Sequence, residues 1–201
     1  MDDVLSIRLA VHEFMDSKLV MVIGPPGSGK STLATGVHTE LKKINKNSIF
    51  ISEAATDYIA EYGVPSKPID QLTIFYKQLN REQMFIGSKE FIICDSSSLL
   101  NYFYFRGLFN DKLDRKEIAT INHVQKEILK TLNQWDYIFY VPPMTEIETN
   151  DGIRYHDVAD IERLDRWIKT YLEIENIPFT DLSDIEIPDR HNEVIRKILK
   201  K

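Results

Sequence analysis

The stretch Gly24-Pro25-Pro26-Gly27-Ser28-Gly29-Lys30-Ser31 constrains this chain more than any other. It satisfies G-x-x-x-x-G-K-[ST] in full. An apolar run, "KLVMVI", precedes it. A segment with Leu33, Val37 and Leu41 on one helical face follows it. Glycines at these positions let successive backbone N–H groups turn inward, which makes a nest for an anion. The helix that follows adds the positive end of its dipole. Lys30 reaches toward the β- and γ-phosphates of a bound nucleotide, and the Ser31 hydroxyl is a ligand for Mg²⁺. Residues 24–32, from Gly24 through Pro25, Pro26, Gly27, Ser28, Gly29, Lys30 and Ser31 to Thr32, are therefore expected to bind a nucleoside triphosphate. The loop also predicts its setting, a strand–loop–helix unit of an α/β protein.

The rest of the chain repeats that unit. Strands are predicted at "KLVMVIG", "NSIFISE" (ending at Glu53), "EFIICD", "DYIFYVPP" and "IPFTDL". Helices are predicted at 3–16, 30–43, "AATDYIAEYG" closed by Gly63, 70–88 with Asp70 as N-cap, 99–109, 114–133, 157–176 and 189–200. The strands are apolar on both faces, the pattern of a parallel sheet covered on two sides. The expectation is a three-layer α/β fold with five parallel strands. No linker divides the 201 residues, which predicts a single domain over 1–201.

Composition narrows the function. The net charge is −6, which argues against a protein whose main work is gripping nucleic-acid phosphates. Apolar runs are of strand length, well short of the ~20 residues that span a bilayer. The start, Met1-Asp2-Asp3, is acidic where an export signal is basic, and this predicts a cytoplasmic protein. The single cysteine, Cys94, reads as a buried strand residue.

Other residues suggest what is done with the triphosphate. Asp95 ends an apolar strand, where a carboxylate would act on the metal. "DSSSLL" also allows it to cap a helix. Glu53 ends the second strand, and Asp57 follows one helical turn later. Glu53 is placed to take the proton of an attacking hydroxyl; its alternative is a charge favoured by a helix N-terminus. Asp57 would face the acceptor or lie solvated. Residues 144–166 read as a lid, with Arg154 in a polar loop and Arg163 and Arg166 on the next helix. Arginines there would stabilise charge developing during transfer, or form helix salt bridges with Asp160, Glu162 and Asp165. The aromatic run "NYFYFRGLF" packs a core or lines an acceptor pocket, with Arg106 as an acceptor contact. A guanine-reading N-K-x-D is missing after the fourth strand, which disfavours a GTPase switch. A ring-forming motor would carry a C-terminal helical lid, and the chain ends before one.

Together "GPPGSGKSTLA", "SEAATDYIAEYG", "REQM", "FIICDSS", "WDYIFYVPP", "DGIR" and "IPFTDLSDIEIPDRHNEVIRKIL" resemble a family of P-loop ATPases and kinases. That family is typified by the ribosylnicotinamide kinase domain of bifunctional NAD-regulator proteins. The resemblance spans residues 18–199 and implies a P-loop kinase fold. It implies ATP- and Mg²⁺-dependent phosphorylation of a hydroxyl on a nucleoside or nucleotide-type small molecule. By position it puts Lys30, Ser31 and Thr32 on ATP and metal, Asp95 on metal and Glu53 at the acceptor. Gln83 falls near the acceptor pocket, Arg154 on the lid, and Arg190 with Asn192 near the adenine. The chain has Thr56 where relatives often have arginine, and Ser96-Ser97 where they often have Arg or Thr-Asp. The family also includes phage-encoded kinases of hydroxymethyl-pyrimidines in DNA, which would work in a host cytoplasm. A DNA-base kinase, and a nucleotide-gated module without transferase activity, are the alternatives at this point.

Overall fold

Five strands pair in parallel in the order β2-β3-β1-β4-β5. They are β1 (Lys18–Ile23), β2 (Ser48–Ile51), β3 (Phe91–Asp95), β4 (Tyr137–Tyr140) and β5 (Thr180–Asp181). The structure is a computed structural model that describes residues 16–109, 113–132, 134–144 and 158–200, with side chains from 106 to 109 excepted. All but the last residue of the predicted helix 3–16 lies outside the described residues. The helices are α1 (Lys30–Lys43), α2 (Ala54–Tyr62), α3 (Pro68–Gln83), α4 (Ser98–Phe109), α5 (Arg115–Leu132), α6 (Val158–Ile174) and α7 (Arg190–Leu199).

The period-2 alternation of the strands divides the core between two faces. Val20 and Val22 of β1 pack with Leu33, Val37 and Leu41 of α1 and Val194 and Ile198 of α7. Met21 and Ile23 turn the other way, toward Phe75 of α3, Leu99 of α4, Ile128 of α5 and Ile168 of α6. β3 is buried along its whole length. Cys94 sits there at 0% exposure, packed with Leu19, Ile51 and Ile92.

Element ends depart from the sequence reading at two informative places. β2 stops at Ile51 rather than at Glu53. Ile51 is opposite Cys94, so beyond that pair Ser52 and Glu53 leave the ladder and Glu53 becomes the N-cap residue of α2. α3 starts at Pro68, with Lys67 and not Asp70 at the N-cap position. Proline at the first helical position sets that start. Asp70 still satisfies the helix end, because its Oδ2 accepts from Ser66 and Lys67 N–H at 2.9 Å each. These bonds, with the Tyr58 hydroxyl, hold its carboxyl below the usual range against the opposing effect of burial, which is the largest. The fifth strand is also shorter than the predicted "IPFTDL", covering Thr180–Asp181 alone. Gly63 closes α2 at φ 85°, where an L side chain would be strained.

Candidate functional site

The loop between β1 and α1 is shaped by close approach and by left-handed backbone. A Cβ on Gly24 would lie 2.1 Å from the Val141 carbonyl oxygen, so no other residue fits there. Gly27 has φ 71° and Gly29 φ 84°, both favoured by glycine. Gly29 is the N-cap residue of α1, so the helix dipole opens directly into the loop. Lys30 is buried, and its Nζ donates to the Pro25 carbonyl at 2.7 Å, closing the loop across its ends. Ser28 Oγ is buried among these groups without a hydrogen-bond partner among the described residues. Ser31 and Thr32 begin α1 exposed to solvent.

A cleft of about 420 Å³ runs outward from the loop. Ser28, Gly29, Thr32 and Gly36 line one side, and Arg190 and His191 of α7 the other. Arg190 Nε donates to the Ile185 carbonyl at 3.0 Å, and burial pulls its guanidinium down from the usual arginine range. The structure thus brings Arg190 to the same cleft as the loop.

At the carboxyl edge of the sheet, Asp95 is opposite Val22 and is 4% exposed. Ser96 N–H continues the ladder, donating to Val22 O at 2.9 Å. Ser96 then turns into left-handed backbone at φ 63°, a strained choice for a residue with a Cβ. α4 starts at Ser98, so Asp95 is a strand residue and not the cap of that helix. Ser98 is held by Glu82 of α3: Glu82 Oε1 accepts its N–H at 2.6 Å and Oε2 its hydroxyl at 3.0 Å.

Glu53 stands half-buried at the start of α2, and its side chain makes no capping bond to that helix. The first amide of α2, Ala54 N–H, donates instead to Gln78 Oε1 of α3 at 2.8 Å. Asp57 is exposed and paired with Arg81 of α3, Nη2 to Oδ2 2.5 Å. Gln83 is exposed at the end of α3. The polar side chains this helix turns inward are Gln71, Gln78 and Glu82, and Gln83 lies ~100° further round than Glu82 at 3.6 residues per turn.

A family model described as an AAA domain matches residues 19–190. The chain belongs to that family. No curated protein matches this AAA domain in sequence. Its fold is shared with solved structures. The structure of NadR protein in complex with NR superposes with a TM-score of 0.70 at 19% identity, over 91% of this chain and 51% of that one. The chain thus spans about half the NadR length. The deoxyadenosine kinase from M. mycoides with bound dATP gives a TM-score of 0.63 at 15% identity, over 91% of this chain and 100% of that one. With dCTP bound, that kinase gives 0.62 at 12% identity, over 90% and 98%.

The lid expected over residues 144–166 falls largely outside the described residues of the AAA domain, and Arg154 lies there. The Arg106 side chain is also outside them. Arg163 pairs with Asp160 at 2.7 Å on its own helix, and its guanidinium lies 5.7 Å from the Trp167 ring centre. Arg166 faces Glu162 at 3.9 Å, with both side chains exposed. In this structure both arginines are engaged along α6. Among the described residues no helix is long and apolar enough to cross a membrane.

The residues present suit a triphosphate and Mg²⁺. The loop carries an orphaned buried hydroxyl, Ser28 Oγ, and a backbone that admits no side chain at Gly24. Ser31 and Asp95 offer hydroxyl and carboxylate oxygens, the hard donors that Mg²⁺ prefers. The sequence reading passed over Gln78 and Glu82. Their signal was the spacing Gln71, Ile74, Phe75, Gln78, Glu82, one helical stripe in which polar residues continue an apolar face.

Proposed function

We propose that this chain is an ATP- and Mg²⁺-dependent phosphotransferase acting on a hydroxyl of a nucleoside or nucleotide-type small molecule, in a single P-loop kinase domain whose lid covers residues 144–166. The observation that carries the reading is the common edge. The phosphate loop after β1, Asp95 ending β3 and Glu53 just beyond β2 all stand at the carboxyl ends of adjacent strands. In open α/β sheets that edge is where ligands bind. The fold shared with NadR and with deoxyadenosine kinase supports the same reading.

In this mechanism the loop amides and Lys30 hold the phosphates, and the cleft to Arg190 takes the nucleoside end. Ser31 and Asp95 would hold Mg²⁺, which when bound would neutralise charge on the β- and γ-phosphates. Glu53 accepts the proton of the acceptor hydroxyl as its oxygen attacks the γ-phosphorus. The bond to the β–γ bridging oxygen breaks, and the electron pair leaves with ADP. Arg154 and Arg163 would screen the charge that develops, once Arg163 exchanges Asp160 for phosphate. Asp57 and Arg106 would face the acceptor, with Gln83 at its margin.

The test offers γ-labelled ATP and Mg²⁺ with a nucleoside panel, a nucleotide panel and hydroxymethylated duplex DNA. Label on a nucleoside or nucleotide is the expected result. Label on DNA alone would replace this acceptor with a modified base. Label released only as phosphate would leave a nucleotide-gated module in place of a transferase.

A further inference from the structure

The last two turns of helix α3 reach both carboxylate-bearing segments of the site. Gln78 and Glu82 lie one turn apart on one face, 1% and 2% exposed. Gln78 accepts from Ala54 N–H, the residue after Glu53, at 2.8 Å. Glu82 accepts twice from Ser98, three residues after Asp95. The Gln78 amide stands beside the Glu82 carboxyl, but its buried Nε2 makes no hydrogen bond among the described residues, so each residue anchors its own segment. Burying such polar groups is costly unless every partner is met. An apolar pair would fill the same stripe at less risk, so the polar choice calls for a reason.

The turn between Asp95 and α4 supplies one. Ser96 is held at φ 63°, and strain of this kind persists only where the surroundings over-determine it. Ser96 N–H is tied to Val22 O on one side. Two residues later the Glu82 carboxyl grips Ser98 by both its amide and its hydroxyl. Ser97 Oγ, between them, meets Met21 Sδ at 3.3 Å. The chain carrying Asp95 is thereby clamped from both ends. The Glu53 segment is clamped likewise, with Arg81 on the outside at Asp57 and Gln78 on the inside at Ala54.

We propose that Gln78 and Glu82 are positioning residues, which set from α3 the placement of Glu53 and Asp95 relative to the phosphate loop. Gln78 acts on the acceptor side and Glu82 on the metal side. The inference rests on the phosphotransferase reading, and it predicts that the two anchors fail differently.

The experiment uses the full chain and four variants: Glu82→Ala, Glu82→Gln, Gln78→Ala and, as a destabilised control distant from the edge, Ile128→Ala. Two readouts are taken. One is the affinity for a fluorescent ADP analogue with and without Mg²⁺. The other is phosphate transfer to the acceptor found in the panel. Glu82→Ala is expected to cut the Mg²⁺-dependent gain in affinity by about tenfold, the usual cost of losing an outer-sphere partner. Its metal-free affinity should stay unchanged. Glu82→Gln keeps an acceptor for Ser98 N–H and offers a donor to its hydroxyl, so it should restore the gain. Gln78→Ala should leave the gain intact and lower kcat by about tenfold or more through misplaced geometry. A Mg²⁺ gain in Glu82→Ala equal to wild type would overturn the metal-side role. An equal loss in Ile128→Ala would reduce both residues to general stability. A wild-type kcat in Gln78→Ala would overturn the acceptor-side role. A wild-type protein that binds nucleotide with a Mg²⁺ gain but phosphorylates nothing would sink the transferase reading, while Glu82 is still judged by the binding data.

Discussion

The phosphate loop and the carboxylate rim beside it are built in contrasting ways. The loop is local: Lys30 bonds Pro25, five residues away, and Gly27 and Gly29 set the backbone between them. The rim is assembled from afar. Ala54 is held by a residue 24 positions on, Asp57 by another at the same separation, and Ser98 by one 16 positions back. A local structure is specified by a handful of residue types and tolerates little change. A long-range one depends on how a helix is packed, and its parts are replaceable in pairs. The loop therefore suits the constant half of the proposed reaction, the triphosphate. The rim suits the variable half, the acceptor.

The sharpest break of that contrast is Glu53→Gln. It should lower transfer by about 10²–10⁴-fold, the range for a lost general base, with ADP affinity unchanged in the same titration. Equal transfer by variant and wild type would remove Glu53 from the chemistry. Gly24→Ala attacks the local half. Its methyl would meet Val141 O at 2.1 Å, backbone against side chain. A loss of about 3 kcal/mol in urea unfolding is expected, at the upper end of overpacking costs, together with loss of nucleotide binding. An unchanged midpoint would show that the loop relaxes more than its geometry suggests.

The long-range half has a pH signature. Burial pushes the Glu82 carboxyl from 4.5 up to about 7, against the opposing bonds from Ser98. Between these values the folded chain holds a proton that the unfolded chain has released. The resulting stability is fully present below 4.5 and is lost as pH rises through about 7. The linkage amounts to on the order of 3 kcal/mol. Denaturant unfolding of wild type minus Glu82→Gln should show that fall, and a flat difference would place water at the carboxyl. The smallest effect belongs to Gly36, inside α1, where an added Cβ meets nothing within 4 Å. Gly36→Ala should raise stability by about 0.5–1 kcal/mol. Because Gly36 lines the cleft beside the loop, weaker nucleotide binding by this stabler variant would mark where the base lies.

What could be read in advance follows the same division. The loop, the strand before it and the limits of α1 were legible because motif, apolar run and helical stripe agree within 26 residues, 18 to 43. Asp95 was legible as the polar end of a buried strand. Glu53 was placed at the right edge but inside a strand, because the last pair β2 makes with β3 is Ile51 with Cys94 and Glu53 then caps α2. That limit is a property of the pair and not of "NSIFISE". Gln83 was named through the family resemblance, and Glu82 beside it was not. Which side of α3 faces inward is set by α4 packing on it, and a polar residue on the apolar stripe looks like an interruption until its partner is known. The pairing of Arg163 with Asp160 was one of two readings the spacing allowed, while its approach to Trp167 was not among them.

The burial of Cys94 makes the molecule its own reporter. It is the chain's single thiol, fully enclosed in β3, and burial together with the nearby Glu82 and Asp95 raises its pKa well above that of an ordinary cysteine. In the native state it is neither accessible nor ionised, so alkylating reagents have nothing to attack. Each labelled molecule therefore records one opening of the central sheet. Under slow-reagent conditions the labelling rate divided by that of a free thiol gives the opening equilibrium constant, read without denaturant and without any knowledge of the acceptor. The same silence leaves the native protein blank for a maleimide dye, so a cysteine introduced at the cleft mouth would be the only one to take it.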